Sequence, residues 1–446
     1  MKLSKYSFGI GDRFGCQGSA QLAAFIEAKK LGIEITPVWN KSNREHSTIH
    51  TEPDDVRKEA DKAVNDANWD GGYFVDADHI NLSCVDKFIG PSDFFTLDVA
   101  DYIGEEPNSA DVSDFVQKYK KFAGKLSIPG INEKFHVSEP DLQINAEKYL
   151  NAIKEAGNIY RHIQSVRCQV SDVSNSPPCE GGVAEGRGGF HQSNNPIIHH
   201  SNLIIEVSMD ETEKPQTPLE LLFILAMIAD EKIPAQTIAP KFSGRFNKGV
   251  EYVGDVAQFA KEFEDDLAVI QFAIKSFGSN ENLKLSVHSG SDKFAIYPAI
   301  NKAIKKYDTG VHVKTAGTTW LEELIGLAES GGEALNIAKE IYRKAFDRYD
   351  ELAAPYATVI DIDHEELPKP DDVDSWDSTK YVDSLRHDRT NVNYNQSFRQ
   401  LLHVGYKIAA ELGDKYINAL KENKDIVAKN VTENILERHI KIIFAK

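Results

Sequence analysis

Residues 71–82 read GGYFVDADHINL. The paired glycines permit a turn, Tyr73, Phe74 and Val75 favour a strand, and Asp76, Asp78 and His79 follow at once. Such a strand either stops at a solvated edge or carries chemistry at its tip. The pattern recurs, and the recurrence decides the fold. KYSFGIGDR lies near 5–13, IEITPVWN at 33–40, GYFVDADH at 72–79 and FFTLDVAD at 94–101. LIIEVSMDE follows at 203–211, QTIAPKF at 236–242, LKLSVHSGSD at 283–292 and GVHVKTAG at 310–317. Each is short and largely apolar rather than alternating, as strands covered on both faces should be.

Helical periodicity follows most of these segments. Ser19 is placed to cap a helix that buries Leu22, Phe25 and Ile26. Thr217, Pro218 and Glu220 form a capping box with proline at the first helical position, and Thr319 with Glu322 repeats the box. Strand–helix alternation repeated in this way predicts an α/β fold, a (β/α)8 TIM-like barrel, over 1–330; a doubly wound open sheet is the alternative. Two regions break the repeat. Residues 104–202, between strands four and five, are too long for a βα connection. They carry helical patterns near 110–123 and 140–166, then a Gly/Ser/Pro/Asn-rich mobile loop at about 170–202. Residues 331–446 form a C-terminal helical region packed on the barrel, apart from an acidic linker at about 363–378.

Composition bounds the function. The chain of 446 residues is 41% hydrophobic and 27% charged, ordinary for a globular protein. A net charge of −18 without a basic patch excludes a nucleic-acid partner. No apolar run reaches the roughly 18 residues of a membrane span, and MKLSKYSFGIGDRFG lacks the apolar core of a signal peptide. Cys16, Cys84, Cys168 and Cys179 are scattered without a CxxC, which suits reduced thiols in a cytoplasmic protein. A homo-oligomer is compatible with all of this.

In a barrel the C-terminal strand tips converge on one rim, where barrel enzymes keep their active sites. Here the tips carry Asp12 and Arg13, Asn40, Asp78 and His79, Asp98 and Asp101, Glu206 and Asp210, Lys241, His288 and Asp292, and His312 and Lys314. His79, His288 and His312 occupy equivalent tips, and three neutral imidazoles suit zinc, manganese, nickel or iron. His199 and His200 resemble a metal pair on paper but fall in the Gly/Pro-rich loop, where nothing fixes their geometry. Asp78 and Glu206 are the leading acid/base pair, with Asp76, Asp210 and Glu211 as rivals because neighbours along a strand face opposite ways. Asp210 and Glu211 also read as caps or surface charges. HSGSDK at 288–293 sets Ser289 and small neighbours ahead of a helix, a turn that can offer N–H groups to an anion. Lys293, Lys241, Lys314, Arg13 and Arg399 are candidates for a carboxylate or phosphate. Arg399 and His403, four apart, share a helix face that either roofs the pocket or packs.

FGIGDRFG, DADH, FTLDVADYI, EVSMDETEKPQTPLE, KGVEYVGDVAQF, LSVHSGSDKFAIYPA, HVKTAGTTWLE and RQLLHVGY, in order from about residue 7 to 415, closely resemble the tagaturonate/fructuronate epimerases. The resemblance implies a divalent-metal-dependent sugar-acid epimerase on a TIM-like barrel. It implies Asp78 as proton acceptor, Glu206 as proton donor, and His79, His288 and His312 as metal ligands. The family's DADHVK reads DADHIN here, with Asn81 for lysine, and Lys241 stands where arginine is usual. The implied reaction interconverts D-tagaturonate and D-fructuronate at the carbinol carbon two bonds from the ketone. That carbon's hydrogen is barely acidic, so a retro-aldol split is easier than deprotonation, with transient oxidation as competitor. No convincing GxGxxG supports a bound nicotinamide. The alternatives are a metal-dependent aldolase, an epimerase of a neutral ketose, and a sugar-acid binding protein without catalysis.

Overall fold

The computed structural model describes residues 2–174, 203–289, 291–315 and 318–445. Eight parallel strands close into a barrel: β1 Tyr6–Ile10, β2 Thr36–Ser42, β3 Phe74–Ile80, β4 Phe94–Asp98, β7 Ile204–Ser208, β8 Thr237–Ala239, β9 Lys284–His288 and β10 Val311–Lys314. β1 pairs with β10 to close the ring. The TIM-like barrel stands, and the open sheet is excluded. The remaining strands, β5 Gly124–Leu126 and β6 Phe135–Val137, form an antiparallel hairpin inside the insertion. At three residues each, they are too short for periodicity to reveal.

Register sets the depth of every side chain. Val38, Phe74, Phe94 and Ile204 fill the lower interior with Leu3 as an apolar plug. Two residues further along β3 and β4 come Asp76 and Thr96, and two further again Asp78 and Asp98. On the β2–β7 side the barrel is therefore apolar below and polar above, while Ser7, Lys284, Ser286 and His312 of β1, β9 and β10 keep polar groups buried at depth.

Outside the ring, the helix Pro218–Asp230 is buried without interruption from Leu221 to Ile228. It is covered on one side by the barrel and on the other by the insertion, whose Lys148 and Tyr149 both reach Glu220. Each such apolar side chain contributes roughly 1.5–3 kcal/mol on burial. The Thr217–Glu220 capping box forms as expected. The other two caps do not. The first helix, Gly18–Lys30, starts before Ser19, and Asp12 supplies its entry by accepting from the backbone N–H of Phe14, Gly15 and Gln17. Thr319 lies inside Thr318–Ser330, where its hydroxyl accepts from Gln21, and Glu322 turns inward to accept from Asn434.

The insertion's helices are Ser109–Tyr119 and Glu139–Ser174. The second continues through 170–174, the start of the stretch expected as a mobile loop; residues 175–202, with Cys179, His199 and His200, lie outside the described residues. The 363–378 stretch is not a bare linker: it holds the turn His364–Glu366 and the helix Pro370–Asp374, the latter tied by Arg343 to Asp371 and Asp374. One continuous core joins the C-terminal helices to the barrel, ending with Phe444 against Tyr6 and Phe8. Among the described residues no helix is long and apolar enough to cross a membrane.

Candidate active site

Lys314 is the centre of the barrel mouth. Its ammonium lies 2.7 Å from Asp76 Oδ2, 2.9 Å from Asp78 Oδ1 and 2.9 Å from Glu206 Oε1. It also donates to Thr96, whose hydroxyl donates to Asp76 at 3.0 Å. One buried cation thus faces three buried carboxylates. Burial alone would lower the lysine, but the three acids hold it well above its ordinary value. Burial pushes the acids up, and their surroundings then separate them. Asp76 stays raised, at about 6. Asp78 is brought down to about 2 by Lys314, His79 and His288, and Glu206 is held well below its usual range by Lys314 and His288. Carboxyls with such different proton affinities in one site are the raw material of acid/base work. Glu206 Oε2 is buried with no hydrogen-bond partner among the described residues.

His79 should point away from the barrel, because its neighbour Asp78 points in. The register of β3 against β4 shifts between Ala77 and Ile80, and His79 takes φ = 51°. This bulge turns the imidazole inward, where its ring centroid is 5.1 Å from that of His288. A bulge that re-aims a side chain, with a left-handed non-glycine residue costing about 1–3 kcal/mol, is a feature of functional sites. His79 Nδ1 is 3.3 Å from Asp98, which orients the ring. His288 is set by Glu206, 2.8 Å from Nε2, and its Nδ1 lies 3.1 Å from Asp210 but outside hydrogen-bond geometry. Burial would lower both imidazoles; instead Asp78 and Asp98 raise His79 to about 10, and Asp210 and Glu206 raise His288 to about 9.

Donor atoms of His79, Asp210 and His288 all lie within 4.8 Å of one another. A carboxylate behind a ligating histidine is the usual support of a metal site, and the negative field that draws protons onto these imidazoles would equally draw a divalent cation. His312 is not in this group. It pairs with Ser286 while Lys314 pairs with His288, so it lies two residues deeper. There it contacts Ser7 at 2.9 Å and packs on Phe94, and burial lowers it to about 3. Asp210, read from sequence as a rival or a cap, stands where the third ligand was expected. Sequence alternation does not reach it, because β7 ends at Ser208 and Asp210 lies in the turn beyond, where the Ser208 hydroxyl donates to it at 2.5 Å.

The residues expected to touch substrate fall into two sets. Asp12 shapes the turn after β1. Arg13 is 3.2 Å from Glu45, donates to the His403 carbonyl and stacks 3.9 Å over Tyr406. Ser289 donates to the Lys314 carbonyl at 2.6 Å. Lys293 donates to the carbonyls of Asn247 and Val250, and Arg399 to those of Gly249 and Leu385 and to Asp292. Asp292 also lies 3.2 Å from His439. The donors of Arg13, Ser289, Lys293 and Arg399 are thus engaged within the protein, and the helix expected after 288–293 follows at Tyr297–Lys306. By contrast, Lys241 has no side-chain partner among the described residues, and both ring nitrogens of buried His403 are unpartnered.

A closed (β/α)8 barrel with carboxylates and imidazoles gathered at its C-terminal mouth has the design of a barrel enzyme. The chain belongs to the tagaturonate epimerase family: the UxaE family model matches residues 1–176 and 192–443. It is thus an epimerase, an isomerase acting on carbohydrates. It is 26% identical over 455 aligned residues to the tagaturonate/fructuronate epimerase of Thermotoga maritima, covering 98% of this chain and 80% of that one. The glycerol-complexed fructuronate-tagaturonate epimerase UxaE from Cohnella laeviribosi superposes with a TM-score of 0.75 at 21% identity, covering 99% of this chain and 82% of that one. Its native crystal structure gives a TM-score of 0.73 at 20% identity, with coverage of 99% and 82%.

Proposed function

We propose that the chain interconverts D-tagaturonate and D-fructuronate, with a divalent cation held by His79, His288 and Asp210. What supports the substrate is the family match over a span that contains Asp78, Glu206 and both imidazoles. A cation bound there supplies Lewis acidity to the ketone end of the substrate; zinc, manganese, nickel and iron all suit imidazole with carboxylate. His312 remains the alternative third ligand, and metal analysis of variants separates the two sets.

The protein's own groups carry the proton transfers. Asp78, ionised through Lys314 and both imidazoles, takes the proton from the hydroxyl at the carbon to be inverted. The adjacent carbon–carbon bond then breaks in a retro-aldol sense, giving an aldehyde and an enediolate. The aldehyde turns, the bond re-forms on its other face, and a carboxyl returns the proton to the new hydroxyl. Glu206, with one oxygen on His288, fills that second role once the proton taken by Asp78 has crossed Lys314, which lies 2.9 Å from both acids; Asp76, with its raised proton affinity, buffers the network. Lys314 keeps three acids together that would otherwise repel.

The test is to incubate the protein with D-tagaturonate and each divalent metal, with chelator as control, and to follow D-fructuronate by NMR. Metal-dependent formation of the epimer is expected. Conversion of a neutral ketose alone, or free three-carbon fragments as the end product, would replace the proposal with one of its alternatives.

A further inference from the structure

All four carbonyls of residues 247–250, in the connection after β8, are tied down by buried side chains. Lys293 holds Asn247 and Val250 at 2.8 and 2.6 Å, Gln400 holds Lys248 at 3.1 Å, and Arg399 holds Gly249. The Gly249 N–H donates to Ser291 at 2.8 Å. Gly249, at φ = 77°, packs so closely on the His403 ring that an added Cβ would sit 3.1 Å from it. A segment fixed this firmly, with an arginine and a lysine buried to do so, presents its side chains in a set geometry.

Two of those side chains, Asn247 and Lys248, together with His403 beside them, are donors without acceptors among the described residues. Asn247 is 1% exposed and its Nδ2 has no partner among the described residues. Lys248 is a half-buried residue whose ammonium has no partner among the described residues. His403, also 1% exposed, has neither ring nitrogen satisfied among the described residues. Burial, then Arg13 and Lys248, hold its imidazole well below the ordinary value, so it is neutral with one N–H to give. Of the carboxylates nearby, Glu45 answers Arg13, Asp292 answers Arg399, and Glu251 accepts from the Tyr252 and Ala295 N–H groups. Unpaired buried donors beside surplus positive charge are costly unless an anion completes them.

We propose that Asn247, Lys248 and His403 form the subsite for the carboxylate of the sugar acid. This rests on the proposed substrate and assigns its charged end. Arg13 donates to the His403 carbonyl and pairs with Glu45, and Glu45 accepts from the N–H of Ser42, the register partner of Asp78 on the next strand, which places the subsite on the catalytic side of the mouth. The carboxylate belongs to the aldehyde half of a retro-aldol split, so the subsite anchors the half that must turn and recombine.

The experiment compares the unsubstituted protein with Lys248→Met and Lys248→Arg, using calorimetric binding of D-tagaturonate, the neutral ketose D-tagatose and D-tagatose 6-phosphate. Relative kcat/KM for acid over neutral ketose is measured alongside. The unsubstituted protein should bind the acid more tightly than the other two. Lys248→Met should lower acid affinity, and the acid-over-neutral preference, by about tenfold or more, as loss of a charge-assisted hydrogen bond does; Lys248→Arg should restore most of it. A folded Lys248→Met that keeps the preference overturns the subsite, as does tighter binding of the phosphate. The binding arm stands without turnover: a protein that binds the acid through Lys248 but does not epimerise it refutes the proposed reaction and keeps the subsite.

Discussion

Nε2 of His288 stands 2.8 Å from Oε1 of Glu206, so a proposed metal ligand and a proposed acid share one hydrogen bond. Glu206→Gln keeps volume and an acceptor but removes the charge and the transferable proton. Turnover should fall by about 10²–10⁴-fold, the range for a general acid or base. Metal affinity should fall by no more than about 10–100-fold, the cost of disturbing a supporting contact. Kinetics and metal content of the same preparation check both, and unimpaired turnover would remove Glu206 from its role.

Asp210 and His312 are rivals for the third ligand position, and the structure separates them by depth. His288→Ala and Asp210→Asn should each come through purification without metal and without activity. His312→Ala should retain metal, because its imidazole lies two residues below His288 and contacts Ser7. Elemental analysis decides. A metal-replete Asp210→Asn beside a metal-free His312→Ala would restore the three-histidine set.

Lys284 sits at the opposite end of the barrel, 3% exposed, donating to the carbonyls of Ser4 and Lys5. Burial, with a small addition from Lys2, lowers its ammonium to about 7 from an ordinary 10.5. The unfolded chain therefore binds more protons across that interval, and stability contributed by this site rises with pH from about 7 to 10.5. Lys284→Met should be more stable than the parent near pH 7, with the gap closing by pH 10. Thermal melts at both values test it, and a pH-independent difference would show that the hydrogen bonds outweigh the charge.

The eight strands were legible because each is covered on both faces and reads as a short apolar run with a polar end. The acids were legible too, since 76, 78 and 206 fall at those ends. Three features were not. The inward turn of His79 depends on a bulge, which period-two alternation contradicts. The depth of His312 depends on strand stagger, and sequence carries face but not height. The commitment of Arg399 and Lys293 to the carbonyls of 247–250 depends on how two distant segments fold over each other, so they looked like free cations. Asn247, just before KGVEYV, and Lys248, its first residue, lay unremarked for the same reason.

Lys314→Met would leave Asp76, Asp78 and Glu206 buried without their shared cation. Removing one partner of a buried ionic cluster typically costs about 3–5 kcal/mol. The pH dependence identifies the cause. With Lys314 present, Asp78 is pushed up by burial but brought down to about 2, so its contribution is present above the ordinary carboxylate range and lost as pH falls toward 2. Without Lys314, burial prevails and the folded carboxyls bind protons more tightly than the unfolded ones. Stability is then lost as pH rises and recovered as it falls. The deficit of the variant should be largest at pH 8 and shrink toward pH 4, measured by denaturant unfolding with chelator in both samples. A deficit of constant size across that range would mean that the lysine acts by packing alone.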